Sequence, residues 1–261
     1  YYLQDEALKR ANIITTQSPE LGEIILAKFG RSLKPKIRYA LFCIESKLYN
    51  LIDQYRKSEA DIQSFKVRMG IKSKYVIVVG HNASPFNNHI KILEQLNTLN
   101  SDIKEKFACV LPFSYGTSDT HYINEVDIFC KKLDFSCVII RDFLSWEELA
   151  LLRLSSDIMI HMPESDAMSG AATESMYAGS LLITAAWLPY GNFRRNGLTF
   201  LEVNTFDDLP DVINKYTEGT LKNKEADRDK NQMNIKSYFF PEATVKSWTS
   251  LYNELLYVKE S

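Results

Sequence analysis

Between residues 75 and 201 the chain alternates short, continuously apolar runs with longer stretches of helical periodicity. The apolar runs are Tyr75–Val79 (YVIVV), 107–111 (FACVL), 137–140 (CVII), Ile158–His161 (IMIH) and 181–184 (LLIT). Strands with one wet face alternate in polarity; these do not, which is the pattern of strands covered on both faces. Helical stretches lie between them at 88–99, 122–133, 145–154 and Gly170–Ala178, and Ser145 followed by Glu148 forms a capping box that marks a helix start. Such alternation predicts parallel strands joined by right-handed crossovers. The expected fold class is therefore α/β, with a Rossmann-like, doubly wound parallel sheet.

Ahead of this unit, 11–15 (ANIIT) reads as a strand, 18–29 as a helix closed by Gly30, and 44–70 as one or two polar helices. That leading segment is too small for a complete α/β domain, so the chain divides at 1–70 and 71–261. After the sheet, 206–216 and 241–256 read as helices, and the charged stretch 221–229 (LKNKEADRD) as a solvated helix or loop. Residues 1–10 (YYLQDEALKR) form a polar, amphipathic segment with no initiator Met and no signal-peptide pattern, which suggests a start inside a longer protein.

Composition narrows the function. The 31 basic and 33 acidic side chains leave a net charge of −2, so nothing points to nucleic acid as a partner. No run of about 18 apolar residues is present to cross a bilayer, which leaves only peripheral membrane contact. Cys43, Cys109, Cys130 and Cys137 form no CxxC pair and sit among apolar residues, which suits a reducing cytosol and disfavours structural zinc. The four histidines have no metal-ligand spacing, and neither GxGxxG nor GxxxxGK[ST] occurs.

In doubly wound sheets the loops after the strands carry the chemistry. The stretch 158–184 is the most telling: Asp166 ends the loop after one strand, Glu174 lies one turn into the next helix, and Ser169, Gly170, Ala171 and Ala172 separate them. Small residues leave the first amides of that helix open to an anion, which is the shape of a nucleotide-diphosphate site. The loop after the first strand, Gly80, His81, Asn82, Ala83, Ser84 and on to Asn88, is rich in polar donors and reads either as a floor for the diphosphate or as a solvated turn ending in an Asn cap. Ser114 and Tyr115 follow the second strand, and Phe143 and Leu144 the third, where an aromatic and backbone amides suit a nucleotide base.

The order GHNASPFNNHIKILEQL, VLPFSYGTSDTHYINEV, RDFLSWEELALLRLSSDIMI resembles the acetamido-dideoxygalactosyl transferases that extend lipid-linked polysaccharide repeats, a GT-B family. The stretch from Asp166 to Glu174 with ESMYAGS is similar to the Glu-x7-Glu and EAMAxG region of the large retaining GT-B glycosyltransferases, and KRANIITTQSPELGEIILAKFG to the last strand and helix of an N-terminal GT-B domain. The resemblance implies the nucleotide-sugar half of a glycosyltransferase that moves a sugar from an NDP-sugar to a glycan or lipid-linked acceptor, retaining and metal-independent, with no cofactor, in the cytoplasm at the inner face of the membrane. It implies that Glu174 accepts from the ribose hydroxyls, that Asp166 contacts the donor sugar, and that the amides of Ser169, Gly170 and Ala171 receive the diphosphate. Gly80, His81, Asn82, Ser84 and Asn88 would face the phosphates and the reacting carbon, with His81 and Asp166 as the catalytic pair. Two departures stand out. Asp166 occupies a position where those families carry Glu, and His81, Asn82, Asn87 and Asn88 stand where an Arg and a Lys follow the first strand; the phosphate charge is left to the helix dipole, amides, and Arg141, Arg194 or Arg195. The rivals are a nucleotide-sugar epimerase using His81 and Asp166 as acid and base, and a noncatalytic nucleotide-binding or scaffolding subunit of a polysaccharide-synthesis complex.

Overall fold

The computed structural model describes residues 2–221 and 223–257. Tyr1 and Lys222, which belong to two of the polar stretches above, lie outside the described residues. The chain opens with helix α1 (Tyr2–Arg10), strand β1 (Ile14–Thr16), helix α2 (Pro19–Phe29), a 3-10 turn and strand β2 (Ile37–Tyr39). Ser18 caps α2 by accepting from the Leu21 amide, and Gly30 ends it, as expected. β1 and β2 pair in parallel as a two-stranded sheet, and Ile14, Leu26 and Leu33 make a small core of their own.

Two helices follow, α3 (Ser46–Tyr55) and α4 (Glu59–Arg68), and then the main sheet unit: β3 (Tyr75–Val79), α5 (His89–Asn97), α6 (Ser101–Lys104), β4 (Phe107–Pro112), α7 (Thr120–Cys130), β5 (Ser136–Ile140), α8 (Trp146–Ser155), β6 (Ile158–His161), α9 (Gly170–Ala178) and β7 (Leu181–Ala185). The short α10 (Gly191–Arg195), strand β8 (Leu201–Val203), α11 (Leu209–Thr217), α12 (Glu225–Phe239) and α13 (Pro241–Tyr257) complete it. The six main strands are all parallel, in the order β5-β4-β3-β6-β7-β8. The expected α/β doubly wound sheet is thus present, and the Ser145–Glu148 capping box starts α8.

Alternate residues of each strand serve opposite layers, as the period of two requires. Val76, Val78, Ala108 and Val110 pack with Phe65 of α4 and Leu152 of α8, while Ile77, Val79, Cys109 and Leu111 pack with Ile92, Leu93 and Leu96 of α5. Ile44, Leu48, Tyr49 and Ile52 belong to this large core too, so α3 is seated on the sheet unit. Helix α13 runs back to the leading segment, where Trp248 Nε1 donates to the Leu41 carbonyl at 2.9 Å and Arg38 pairs with Glu254. The charged stretch 221–229 differs from expectation in extent: from Glu225 it is the first part of α12, whose buried Asn231, Ile235 and Phe239 anchor a helix that is otherwise polar.

Candidate functional site

The strand order reverses between β3 and β6. At such a switch point the flanking crossovers lie on opposite faces, and a crevice opens outside the carboxyl ends of the two strands. A cavity of about 340 Å³ lies there, lined by His81 after β3, Ser114 and Tyr115 after β4, Phe143 and Leu144 after β5, Asp166 after β6, and Ser169, Gly170, Ala171 and Glu174 at the start of α9. Residues up to 93 positions apart in the chain converge because every one follows the C-terminal end of a parallel strand. A second cavity of about 340 Å³ opens at the opposite edge, where Arg56 and Arg228 are balanced by Asp157, Glu225 and Asp229. No strand points its C-terminus into it.

Helix α9 is built to leave its first amides open. Ser169 Oγ accepts from the Ala172 amide at 3.3 Å, and the amides of Gly170 and Ala171, in the first turn, have no helical carbonyl within reach. Met176 and Tyr177, buried farther along, pin the helix to the sheet. Its dipole therefore presents a fixed positive end to the cavity. At the far end, Gly179 takes the left-handed conformation that closes the helix, and Arg56 donates to the carbonyls of Tyr177 and Ala178.

The β3 loop divides the expected residues. His81 reaches the cavity, whereas Gly80, Asn82, Ser84 and Asn88 do not line it. They hold the loop's shape instead. Asn82 Oδ1 accepts from the Ser84 amide at 2.9 Å and from Asn87 Nδ2 at 2.8 Å, which turns its Nδ2 toward His81 Nε2 at 3.0 Å. Asn88, left-handed at φ 55°, donates from Nδ2 to the Met162 carbonyl at 2.9 Å and so ties this loop to the one after β6. Gly80 is required by close approach: at φ +68° a Cβ there would stand 2.7 Å from His89 Nε2.

Asp166 is held by three donors. His161 Nε2 and the Tyr190 hydroxyl both donate to its Oδ2, at 2.9 and 2.8 Å, and the Ala167 amide donates to Oδ1 at 2.7 Å. Burial alone would raise its pKa, but these donors outweigh it and hold the carboxyl below the usual value. His81 moves the opposite way for a base: burial, then the neighbouring His161, push it down to about 4. With Asn82 donating to Nε2, the neutral ring carries its proton on Nδ1, an atom that has no protein partner among the described residues. Burial similarly lowers His89, whose Nδ1 meets the Tyr122 hydroxyl at 2.8 Å, to about 3.

These depressed histidines predict an acid-sensitive fold. In the unfolded chain both would protonate near pH 6.5, whereas in the folded chain they stay neutral down to about 4 and about 3. Stability is then fully present above about pH 6.5 and falls as the pH drops through that window, at up to about 1.4 kcal/mol per pH unit for each group. Thermal unfolding followed between pH 7.5 and 4.5 should show this slope, and His81→Asn should flatten it; a Tm constant across the range would contradict the assignment.

The charged residue of the site that escaped sequence reasoning is an arginine, beside the apolar Pro112 and Leu149 that also line the cavity. Arg153, on the inner face of α8, lines the same cavity with its side chain only 5% exposed. Its Nε and Nη2 both donate to Glu174 Oε2, at 3.1 and 2.9 Å. The signal was a single arginine inside the apolar run LALLRLSS, where a charge needs a partner from another element. The arginines considered for the phosphate charge lie elsewhere: Arg141 pairs with Asp127, Arg194 with Glu202 and Arg195 with Glu20, and none lines the cavity. Among the described residues no group of three or more His, Cys, Asp or Glu side chains is placed to hold a metal ion, and no helix is long and apolar enough to cross a membrane.

No protein-family profile and no curated protein sequence matches the chain. Its likeness to solved structures is one of fold. HepE of Anabaena, in a structure with UDP and glucose, superposes with a TM-score of 0.78 at 14% identity, over 95% of this chain and 65% of that one. A glycosyltransferase of Rickettsia africae gives 0.77 at 15%, over 94% and 64%, and the sucrose-phosphate synthase of Thermosynechococcus elongatus 0.74 at 15%, over 98% and 61%. The chain spans less than two thirds of the length of each of these structures. These neighbours are GT-B glycosyltransferases, and the chain has a Rossmann-like portion of their fold.

Proposed function

We propose that the chain is the nucleotide-sugar-binding part of a glycosyltransferase, and that the cavity at the β3/β6 switch point holds the donor. The observation that carries this reading is that Glu174 and the open N-terminus of α9 line one cavity on the same side of the helix, with Asp166 beside them. Glu174 accepts from the ribose hydroxyls, the amides of Gly170 and Ala171 take the diphosphate, and Phe143, Leu144 and Tyr115 flank the base. That HepE is described with UDP and with UDP-glucose supports a nucleotide-sugar donor here.

In the proposed reaction the bond from the anomeric carbon to the phosphate oxygen breaks as an acceptor hydroxyl adds to that carbon. The hydroxyl proton passes to the departing phosphate, whose growing charge is met by the helix amides. This scheme calls for no metal and no cofactor, and retention follows if the acceptor enters on the phosphate's own face. Asp166, held ionised, contacts the sugar hydroxyls, and neutral His81 lines the cavity beside it. We place the acceptor, a glycan or lipid-linked oligosaccharide of a surface polysaccharide, at the cytoplasmic membrane face. Epimerisation is the weaker reading, because a general acid needs a pKa near the working pH, and His81, at about 4, has lost its proton well below it.

The test is calorimetric titration of the chain with UDP, GDP, TDP and CDP. Selective binding of one of them is the expected result; binding of none would remove the reading. Nucleotide binding with neither transfer nor hydrolysis of the matching nucleotide sugar would favour the noncatalytic subunit.

A further inference from the structure

An arginine usually meets a carboxylate end on, one donor to each oxygen. In this site both donors of Arg153 converge on Oε2 of Glu174. Glu174 Oε1 is left without a protein donor among the described residues and lies on the Gly170 side, 3.5 Å from where a Cβ of Gly170 would stand. The two side chains also differ in exposure: Arg153 is 5% exposed, while Glu174, at 20%, reaches the cavity. The guanidinium is thus a buried clamp, and one oxygen of the carboxylate is its exposed face.

Neither element could do this alone. Glu174 has several rotatable bonds, and a long side chain at a cavity wall loses entropy when a ligand orders it. Arg153 removes that cost in advance, since α8 packs on α9 and the guanidinium has no other carboxylate among the described residues. Tyr49 from α3 braces the same turn through its hydroxyl, 3.0 Å from Thr173 Oγ1. Gly170 keeps the space in front of Oε1 open.

Resting on the donor-site reading above, we propose that Arg153 is the positioning residue of the ribose subsite: it fixes Glu174 in one orientation with Oε1 free for the ribose diol, and does not itself touch the nucleotide. Both residues, on neighbouring helices, line the cavity, with the ribose contact given to Glu174 and its positioning to Arg153.

Calorimetric titration of the full chain decides it, using whichever of UDP, GDP, TDP and CDP the unmodified protein binds. Arg153→Met keeps the volume without the charge and is expected to lose affinity about 10-fold or more; Arg153→Lys, which restores one charged donor, should recover most of it. A space-filling role would make Met as good as Lys and would overturn the proposal. Glu174→Gln should lose a similar factor, and the double variant Arg153→Met with Glu174→Gln should bind no more weakly than Glu174→Gln alone. Losses that multiply in the double variant would mean that Arg153 contacts the nucleotide directly, and the proposal fails. The double variant buries no charge, so it remains a folded test where Arg153→Met alone does not. Absence of binding by the unmodified chain would instead strike down the donor-site reading itself.

Discussion

Replacing Glu174 with alanine is expected to destabilise the chain by about 3–5 kcal/mol, because it leaves a buried guanidinium without its counter-charge. Arg153 is 5% exposed and its Nη1 is buried with no partner among the described residues, so truncating Glu174 removes the carboxylate that the buried guanidinium pairs with. For a chain of this size a loss of that magnitude corresponds to a fall of roughly 10 °C in Tm. Glu174→Gln should cost less, since an amide oxygen still accepts from Nε and Nη2. Thermal unfolding of the two variants beside the parent checks this; an alanine variant within about 1 kcal/mol of the parent would show that the pair is not a buried charge pair. The consequence for binding experiments is direct. Loss of nucleotide binding in Glu174→Ala mixes a missing ligand contact with a loosened α8 and α9, which is why the glutamine variant is the better probe.

The second large effect is expected at Asp166. Asparagine there keeps acceptors for His161 and Tyr190 but removes the charge that their hydrogen bonds hold in place. Under the proposed reaction, sugar transfer should fall about 10²–10³-fold, the scale on which a preorganised electrostatic group acts on a transition state. Nucleotide affinity should stay within a few-fold of the parent, since the base, ribose and diphosphate contacts are assigned to other residues. Measuring transfer or donor hydrolysis together with the nucleotide Kd separates the two quantities. Unchanged turnover would take Asp166 out of the chemistry, and an equal loss of UDP affinity would make it an anchor for the nucleotide. Asp166 also borders a further cavity lined by Leu21, Ile24, Trp187 and Leu188, where α2 meets the loop after β7.

Much of the framework is legible in the chain because its signals are local. Five apolar runs became β3 to β7 with ends shifted by no more than a residue, since a strand dry on both faces has to be apolar throughout. The Ser18, Ser145 and Ser169 caps, and the glycines at 30 and 179, mark helix ends through bonds that span at most a few residues. The elements that the pattern missed are short or depend on neighbours. β2 and β8, of three residues each, exist as strands because Ile14 and Ile183 are there to pair with them. Helix α12 is nearly featureless in periodicity, and its place is decided by what Asn231, Ile235 and Phe239 bury against.

The candidate site divides along the same line. That loops after parallel strands converge follows from alternation alone, and it brought His81, Tyr115, Phe143, Asp166 and Glu174 to one cavity. Which atoms of a polar loop face outward is decided by the loop's own bonds: Asn82 accepts from the Ser84 amide and from Asn87, and Asn88 donates to Met162, at 2.8 to 2.9 Å, so residues of ligand-binding type close their own loop instead. Arg153 lies 21 positions from Glu174, and nothing in sequence spacing pairs them. By itself, then, the sequence determined the five central strands, the helices between them, their parallel sense and the edge of the sheet where polar loops gather, since these depend on periodicity and caps within a few residues. Only the tertiary structure decided which charges are buried together, which oxygen of Glu174 is free, and which histidine stays neutral, because those follow from distances between side chains of different elements and from the water that packing excludes.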